Sequence, residues 1–388
     1  MKRIIALLLS LSLIFSLVAC GNKQNEQTKE NTSSGNVEQS ADKTTEEKPA
    51  EQTPAKTPEE QTAPTEPEEE LTNEMVEYYM QKANEVQVTD THVIFTDDGS
   101  GKELTIEKNP QNVSVLYGSL TALWYEAGGT VPLAIGGKSA VVLYEEQIGR
   151  DITQDEGVKV VATSSSGTGW DVEAILAEKP DLIITSVGMK GYATISEPAA
   201  AIGVPVIGIN YDGVQDYLKW FKVFCNLTGH PELWEEVAEK TANGIIDVVS
   251  KVPEDVEAPT AAILVVNSDK LKAYTYDSQP GTMLKELGGV NVFDPNNEGA
   301  SANVEISLED LYAQDPDMIF LAWYNEPGEM YNQLMTMVEG NPVWDSLRAN
   351  QEGKFFQLDK SLFHNKANHM YDQAYKTLAE LLYPDTEF

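Results

Sequence analysis

Aromatic and hydroxyl side chains gather where runs of apolar residues end. Tyr117 and Ser119 follow the run 113–116, Ser165 and Trp170 lie in the loop after 158–162, and Tyr192 and Tyr211 follow 181–185 and 204–209. Later in the chain Tyr276 closes the run 272–276, Trp323 and Tyr324 follow 318–322, and His364 lies beyond 354–358. If these runs are strands of parallel sheets, their carboxyl ends open onto the crevice where such sheets bind ligands. Rings stack on flat apolar ligands, while hydroxyl and indole N–H groups bond polar edges. That is chemistry of capture rather than turnover. Any one of these residues would serve equally well in packing; the set points to a large, partly apolar ligand with polar edges.

Charge narrows the ligand. The chain carries a formal net charge of -35, which argues against nucleic acid and anionic lipid as partners, since both are polyanions. Beyond the first few residues the arginines are Arg150 and Arg348, and neither falls in a predicted cleft loop. Bidentate arginine forks are the usual holders of carboxylates and catecholates, so a strongly anionic ligand is disfavoured. Lys138, Lys190 and Lys360 supply weaker cationic contacts. The chain has 4 histidines, and His92 and His230 lie outside the cleft loops, so no naked divalent metal is expected. Asp294, Asn296, Glu298, Gly299 and Glu305 approach a calcium loop, but Glu298 and Ser301 depart from its pattern and a strand precedes it where a helix belongs. No metal site is assigned.

Catalytic signatures are missing from the sequence. There is no Gly-x-Ser-x-Gly elbow, no HExxH and no phosphate loop; Pro132 stands where the loop ending in Lys138-Ser139 would need glycine. Gly99 and Gly101 belong to a hairpin turn, since no helix follows them. No catalytic residue is assigned, and abundant carboxylates leave an enzyme as the rival reading.

These loops must be held by a scaffold, and the spacing of apolar residues predicts it. From residue 113 strands alternate with helices, which implies a mostly parallel sheet covered on both faces. The scheme stops near residue 213 and resumes near 253. Between them Val214, Leu218, Phe221 and Cys225, then Leu233, Val237, Thr241, Ile245 and Val248, recur at helical spacing. Gly229 ends the first helix and Pro231 suits the start of the second. The predicted organisation is an α/β protein of two lobes, 72–212 and 253–388, joined by a helical crossing over 213–252. A helix and a hairpin lead the first lobe. An internal repeat pairs the lobes: 172–183 lies over 308–319, each a capped helix, a Pro-Asp stop and a buried strand.

The amino-terminal region reads differently. Lys2 and Arg3 precede an apolar run that ends in Leu17-Val18-Ala19-Cys20-Gly21. A basic start and a short apolar run make an export signal over 1–20, and the last four residues before Gly21 resemble a bacterial lipobox, whose cysteine is lipidated. Residues 21–71 are rich in Glu, Gln, Thr, Pro, Lys and Ser and cannot bury enough surface to offset their ordering entropy. A disordered stalk on a lipid anchor at the outer face of the cell membrane is expected, and its length suits a Gram-positive surface. Cys225, on the apolar face of the crossing helix, is expected to be a buried thiol.

Taken in order, several segments resemble the substrate-binding proteins of ABC importers that carry iron-siderophores, haem and cobalamin. The resemblance rests on residues 172–184, on Gly203-Val204-Pro205-Val206-Ile207, on Leu287-Gly288-Gly289-Val290-Asn291-Val292-Phe293, on Glu309 with Asp315-Pro316-Asp317, and on Asn341-Pro342-Val343-Trp344. It implies two lobes joined by a long helix, the class III arrangement, with the ligand between them: a ferric chelate, haem or a corrinoid. It implies no cofactor and no catalysis, a monomer, and a permease with its ATPase as partners. Glu173 and Glu309 match the surface carboxylates that dock on permease arginines; each also suits a first-turn acid. With a tyrosine partner, His364 would be an axial ligand if the cargo is haem, and otherwise a packing or hydrogen-bonding histidine. A surface sensor or adhesin on the same fold is the rival of another class.

Overall fold

A computed structural model describes residues 66–267, 270–296, 301–323 and 327–388, without the side chains of 66–72 and 327. The expected leader, Cys20 and most of the expected stalk lie outside these residues. Helix α1 (Glu66–Asn84) begins inside the segment 21–71. Glutamates at 66 and 68–70 are good helix formers, and their charge suits the positive end of the helix. A small antiparallel sheet follows, β1 (Gln87–Val88), β2 (His92–Thr96) and β3 (Glu103–Glu107), the expected hairpin with one short strand added.

The first lobe is built on β4 (Val113–Val115), β5 (Leu133–Ile135), β6 (Lys159–Ala162), β7 (Leu182–Ser186) and β8 (Val206–Ile209), in the order β6-β5-β4-β7-β8. Every pairing is parallel. The helices between are α2 (Gly118–Glu126), α3 (Lys138–Gln147), α4 (Val172–Ala177) and α5 (Lys190–Ala201). Helix α3 was not expected from the sequence, and α5 carries Pro198 in its interior. The hairpin turn covers the exposed edge of β8: Asp97 Oδ1 accepts from Gly208 N at 2.6 Å, and Asp98 Oδ2 accepts from Asn210 N at 2.9 Å. Covering an edge strand removes a site for unwanted pairing.

The crossing is two helices with a widened turn between them. Helix α6 (Val214–Thr228) ends at Gly229 in the left-handed conformation, φ 84. Residues Trp234–Glu239 form a π-helical stretch that runs into α7 (Lys240–Ser250). Helix α6 is buried on nearly every side, because α1 and β2 cover the face turned away from the lobe. Trp220, Phe221 and Phe224 are wholly enclosed, each worth about 1.5–3 kcal/mol by burial alone. Its polar groups are matched: Lys219 Nζ donates to Asp98 Oδ1 at 2.6 Å and Thr96 O at 2.9 Å, and Lys82 pairs with Asp216 at 2.5 Å.

The second lobe holds β9 (Thr260–Asn267), β10 (Lys270–Tyr274), β11 (Val290–Asn291), β12 (Asn303–Glu305), β13 (Met318–Leu321) and β14 (Phe355–Gln357), in the order β12-β10-β9-β13-β14 with β11 also paired to β9. Its helices are α8 (Gln279–Glu286), α9 (Leu308–Gln314), α10 (Pro327–Val338), α11 (Pro342–Ser346), α12 (Arg348–Gln351), α13 (Lys360–Phe363) and α14 (Tyr371–Leu382). This sheet is mixed: β10 runs antiparallel to both neighbours, the other pairings are parallel.

The internal repeat is real down to the backbone. Asp171 and Ser307 cap α4 and α9 by accepting from Ala174 N and Asp310 N. Lys179 and Asp315, the residues before each Pro-Asp, both lie in the left-handed region, with φ 56 and 37. A turn this tight breaks each helix so that the next strand can start at once.

The lobes are also joined away from the crossing. Glu286, at the end of α8, is buried and accepts from the hydroxyls of Tyr78 and Tyr79 of α1, at 3.1 and 2.9 Å, and from Tyr375 of α14. Gln215 Nε2 of α6 donates to Tyr78 O at 2.8 Å. Helix α1 thus fastens to the crossing and to the second lobe.

Candidate functional site

In the first sheet the strand order reverses between β4 and β7, and in the second the parallel strands β9 and β13 stand side by side. Crevices beyond the carboxyl ends of such strands are where open sheets take ligands. Tyr117 and Ser119 follow β4, and Trp323 and the expected Tyr324 follow β13, so both points carry residues singled out from the sequence. Tyr324 lies outside the described residues.

Tyr117 is the residue before α2 and is half-buried; Ser119 is buried in the first turn of that helix. Gly118 N donates to Ser165 Oγ at 3.4 Å, so the loop after β6 is held against the loop after β4. Trp170 and Tyr192 are half-buried and pack within their own lobe. Trp170 Nε1 donates to Ser164 O at 2.6 Å and its ring covers Gly191, where a Cβ would come within 2.3 Å of it. Tyr192 lies in α5, not in a loop, with its ring against Gly99 and Gly208.

Three expected contacts are engaged in the protein itself. Tyr276 is moved away from the cleft. Because β10 runs antiparallel to β9, its carboxyl end points away from the carboxyl ends of β9 and β13. Its hydroxyl donates to Gly289 O at 3.1 Å and accepts from Asn291 N at 2.9 Å, at the start of β11. Trp323 is buried and its Nε1 donates to Leu358 O. Tyr211 is buried, and its hydroxyl donates to Asn368 Oδ1 of the other lobe at 2.8 Å.

That last bond belongs to a seam that sequence reasoning missed. Residues 364–371 leave the second lobe after α13 and lie on the first. Asn365 Nδ2 donates to Glu146 Oε2 at 3.2 Å, Lys366 O accepts from Gln147 Nε2 at 3.0 Å, and His369 Nδ1 meets Glu126 Oε2 at 3.4 Å. The hydrogen bond that His369 donates to the Glu126 carboxylate raises its pKa above the usual value. Asn368 holds φ 53, a strained conformation fixed by the seam around it. Only the polar run after Phe363 hints at this in the sequence, because every partner is distant in the chain.

His364 opens the seam, half-buried at the end of α13. Burial, then the charges of Lys360 and Lys366, push its pKa down to about 4, so its ring is neutral at physiological pH. Lys138, Lys190 and Lys360 are the first residues of α3, α5 and α13. Both arginines pair with acids that precede the amino ends of strands, opposite to the carboxyl ends. Arg150 grips Asp155 before β6, its Nη2 2.9 Å from Oδ2, and Arg348 holds Asp315 and Asp317 before β13, with Nη1 2.5 Å from Asp317 Oδ1.

Glu173 and Glu309 occupy the same place in the first turns of α4 and α9, and both are exposed. Neither makes an ion pair or side-chain hydrogen bond among the described residues. Residues 297–300 of the calcium-like stretch lie outside the description; Asp294 Oδ2 accepts from Tyr276 N at 3.1 Å. Among the described residues no group of three or more His, Cys, Asp or Glu is placed to hold a metal ion, and no helix is long and apolar enough to cross a membrane.

A family model described as periplasmic binding protein matches residues 113–362. The Fe(3+)-citrate-binding protein of Bacillus subtilis is 26% identical over 273 residues, covering 70% of this chain and 79% of that protein. A putative ABC transporter substrate-binding lipoprotein of the same organism is 23% identical over 230 residues, 56% of this chain and 68% of that one. Among solved structures, an ABC transporter substrate-binding protein from Listeria monocytogenes superposes with a TM-score of 0.56 at 19% identity, over 72% of this chain and all of that one. That likeness concerns the fold.

Proposed function

Since the chain belongs to the periplasmic binding protein family and is an ABC transporter substrate-binding protein, we propose that it captures a ferric chelate between its lobes and delivers it to a permease and its ATPase. The observation that supports this reading is the strand order, β4 beside β7 and β9 beside β13, with the loop after β6 held to Gly118 after β4 and the seam 364–371 joining the lobes. The relative from Bacillus subtilis that is named for Fe(3+)-citrate supports iron as the metal. Both arginines are occupied by acids at the amino ends of strands, which supports a chelate of low charge, of the siderophore type, over a strongly anionic one.

The chain works as a monomer that binds without turnover, at the outer face of the cell membrane. Lipidation of Cys20 anchors it; names of relatives as lipoproteins support this. Glu173 and Glu309 dock on the permease, for which their exposure and equivalent placement speak. Cobalamin or haem in the same cleft is the second reading, favoured by the neutral ring of His364.

The test is a thermal-shift screen of residues 66–388 with a ferric trihydroxamate, ferric citrate, haem and cobalamin. A ligand present at a hundred times its Kd adds about 2.7 kcal/mol of stability. A shift with one iron chelate is expected. A shift with cobalamin or haem alone transfers the reading to that ligand, and no shift with any of them overturns it.

A further inference from the structure

A groove of about 600 Å³ lies between helix α1 and the π-helical stretch Trp234–Glu239 with its continuation in α7. It shares no residue with the strand-end loops of the cleft. Its floor is half-buried and apolar, made by Met80 of α1 and the ring of Trp234; its rim is exposed and polar, with Asn73 and Glu77 on one side and Glu239 and Asn243 on the other.

The turn that shapes this groove is an unusual one. Residues five apart in an α-helix stand about 140° apart around the axis, so a regular helix would point Trp234 and Glu239 in different directions. The i→i+5 bonding of a π-helix sets them one above the other. Asn243, four residues further on in α7, continues the same face. Turns of this kind are rare and recur at functional sites. The effect here is to bring an aromatic ring, a carboxylate and an amide onto one wall of the groove.

Charge decides what fits. Among the described lining residues the one cation, Lys222, is engaged: its Nζ donates to Ala83 O at 2.9 Å and stands 5.7 Å from the centre of the Trp234 ring. Two rim carboxylates repel an anion, and a cation approaching the ring meets the ammonium already beside it. The side chains of Asn73, Glu77, Glu239 and Asn243 and the indole Nε1 make no hydrogen bond or ion pair among the described residues. We propose that this groove is a second binding site, for a neutral N-acetylated oligosaccharide. A sugar ring lays its C–H face on the indole, and the acetyl methyl packs on Met80. Each asparagine amide offers a donor and an acceptor to the hydroxyl and acetamido groups, while the carboxylates accept from neighbouring hydroxyls. The volume lies within the roughly 300–1,000 Å³ of small-molecule sites. Binding here holds the protein to a glycan and leaves the cleft free for its own ligand.

The experiment labels the chain from Gly21 onward with fluorotryptophan, which gives one fluorine resonance for each of its 6 tryptophans; Trp234→Phe identifies the line of Trp234. Titration with tri-N-acetylchitotriose should move that line saturably and leave the others in place. Asn243→Ala and Glu239→Gln, both on the exposed rim, should each weaken the trimer about 3- to 10-fold without changing the melting temperature or the binding of ferric chelates. No movement of the Trp234 line, movement shared by every tryptophan, undiminished affinity in both variants, or tighter binding of the deacetylated, cationic trimer overturns the proposal; the last of these would leave only an acidic patch. Co-sedimentation with isolated cell-wall glycan, competed by the trimer, identifies the wall as the source of the sugar, and its absence a soluble oligosaccharide. None of these outcomes touches the chelate reading, which rests on other residues.

Discussion

Asp181 and Asp317 do the same work in the two lobes. Asp181 Oδ2 accepts from Gln111 N and Asn112 N, at 2.7 and 2.8 Å, just before β4; Asp317 Oδ2 accepts from Thr260 N at 2.9 Å and Thr260 Oγ1 at 2.7 Å, at the start of β9. In each lobe the Pro-Asp that ends the helix thereby fixes the register of the central strand beside it.

Burial pushes the Asp317 carboxyl up, but the bonds from Thr260 and the charge of Arg348 outweigh it and hold the pKa below its ordinary 3.8. A depressed acid contributes stability above its unfolded pKa and loses it as pH falls through the folded one. Asp317→Ala is therefore expected to cost about 1.5–3 kcal/mol in urea unfolding at pH 7. The difference from wild type should shrink as pH falls below 3.8; a constant difference would remove the carboxylate as its cause.

Glu286 behaves oppositely. Burial raises its pKa above 4.5, although three tyrosine hydroxyls and Lys285 pull it back. The stability linked to this group is full below 4.5 and is lost as pH rises through the raised pKa. Glu286→Gln keeps the shape and discards the charge. Its stability relative to wild type should improve with rising pH, by up to about 1.4 kcal/mol per pH unit within that window. A pH-independent difference between the two proteins would contradict the assignment.

His369 and Glu126 join the lobes by an ion pair that needs a protonated imidazole. The raised pKa means that the pair is complete below 6.5 and is lost as pH rises through the folded value. Half the His369 side chain is in solvent, so its effect on stability is a few tenths of a kcal/mol at most. The titration midpoint is the better readout. In NMR, Glu126→Gln should lower the His369 midpoint relative to wild type; an unchanged midpoint would show that the pair does not form in solution.

Cys225 is wholly enclosed, and burial pushes its thiol pKa well above the usual range. The thiolate is the reactive form. Iodoacetamide at pH 8 should leave residue 225 of the folded 66–388 protein unmodified for hours and label it at once in guanidinium chloride. Rapid labelling of the folded protein would mean that α6 opens readily.

What the sequence made legible is what short-range pattern encodes. The crossing helices, the hairpin and the repeat of 172–183 in 308–319 all rest on local spacing, caps and turns, and the structure bears them out. Strand direction is not local: Lys272 and its neighbours look the same in a strand running either way, so Tyr276 was assigned to the wrong end. The start of α5 is hard to read because Gly191, Thr194 and Ser196 are weak helix formers and Pro198, usually a helix start, lies inside the helix. Helix α3 has no side-chain cap, since Gly137 precedes it at φ 93. Lys366 and the seam around it depend wholly on partners far away in the chain.

Helix α1 and the hairpin stand outside residues 113–362, which the family model matches, yet they close the core. Phe95 lies edge-on to Trp220, Tyr79 reaches Glu286, and Lys222 Nζ donates to Ala83 O at 2.9 Å. A recombinant fragment cut at residue 113 would strip one wall from α6 and leave Glu286 without two of its donors. Such a fragment should aggregate rather than bind. Expression boundaries, chimaeras with related receptors and circular permutants of this protein all have to carry residues from Glu66 onward as part of the folding unit.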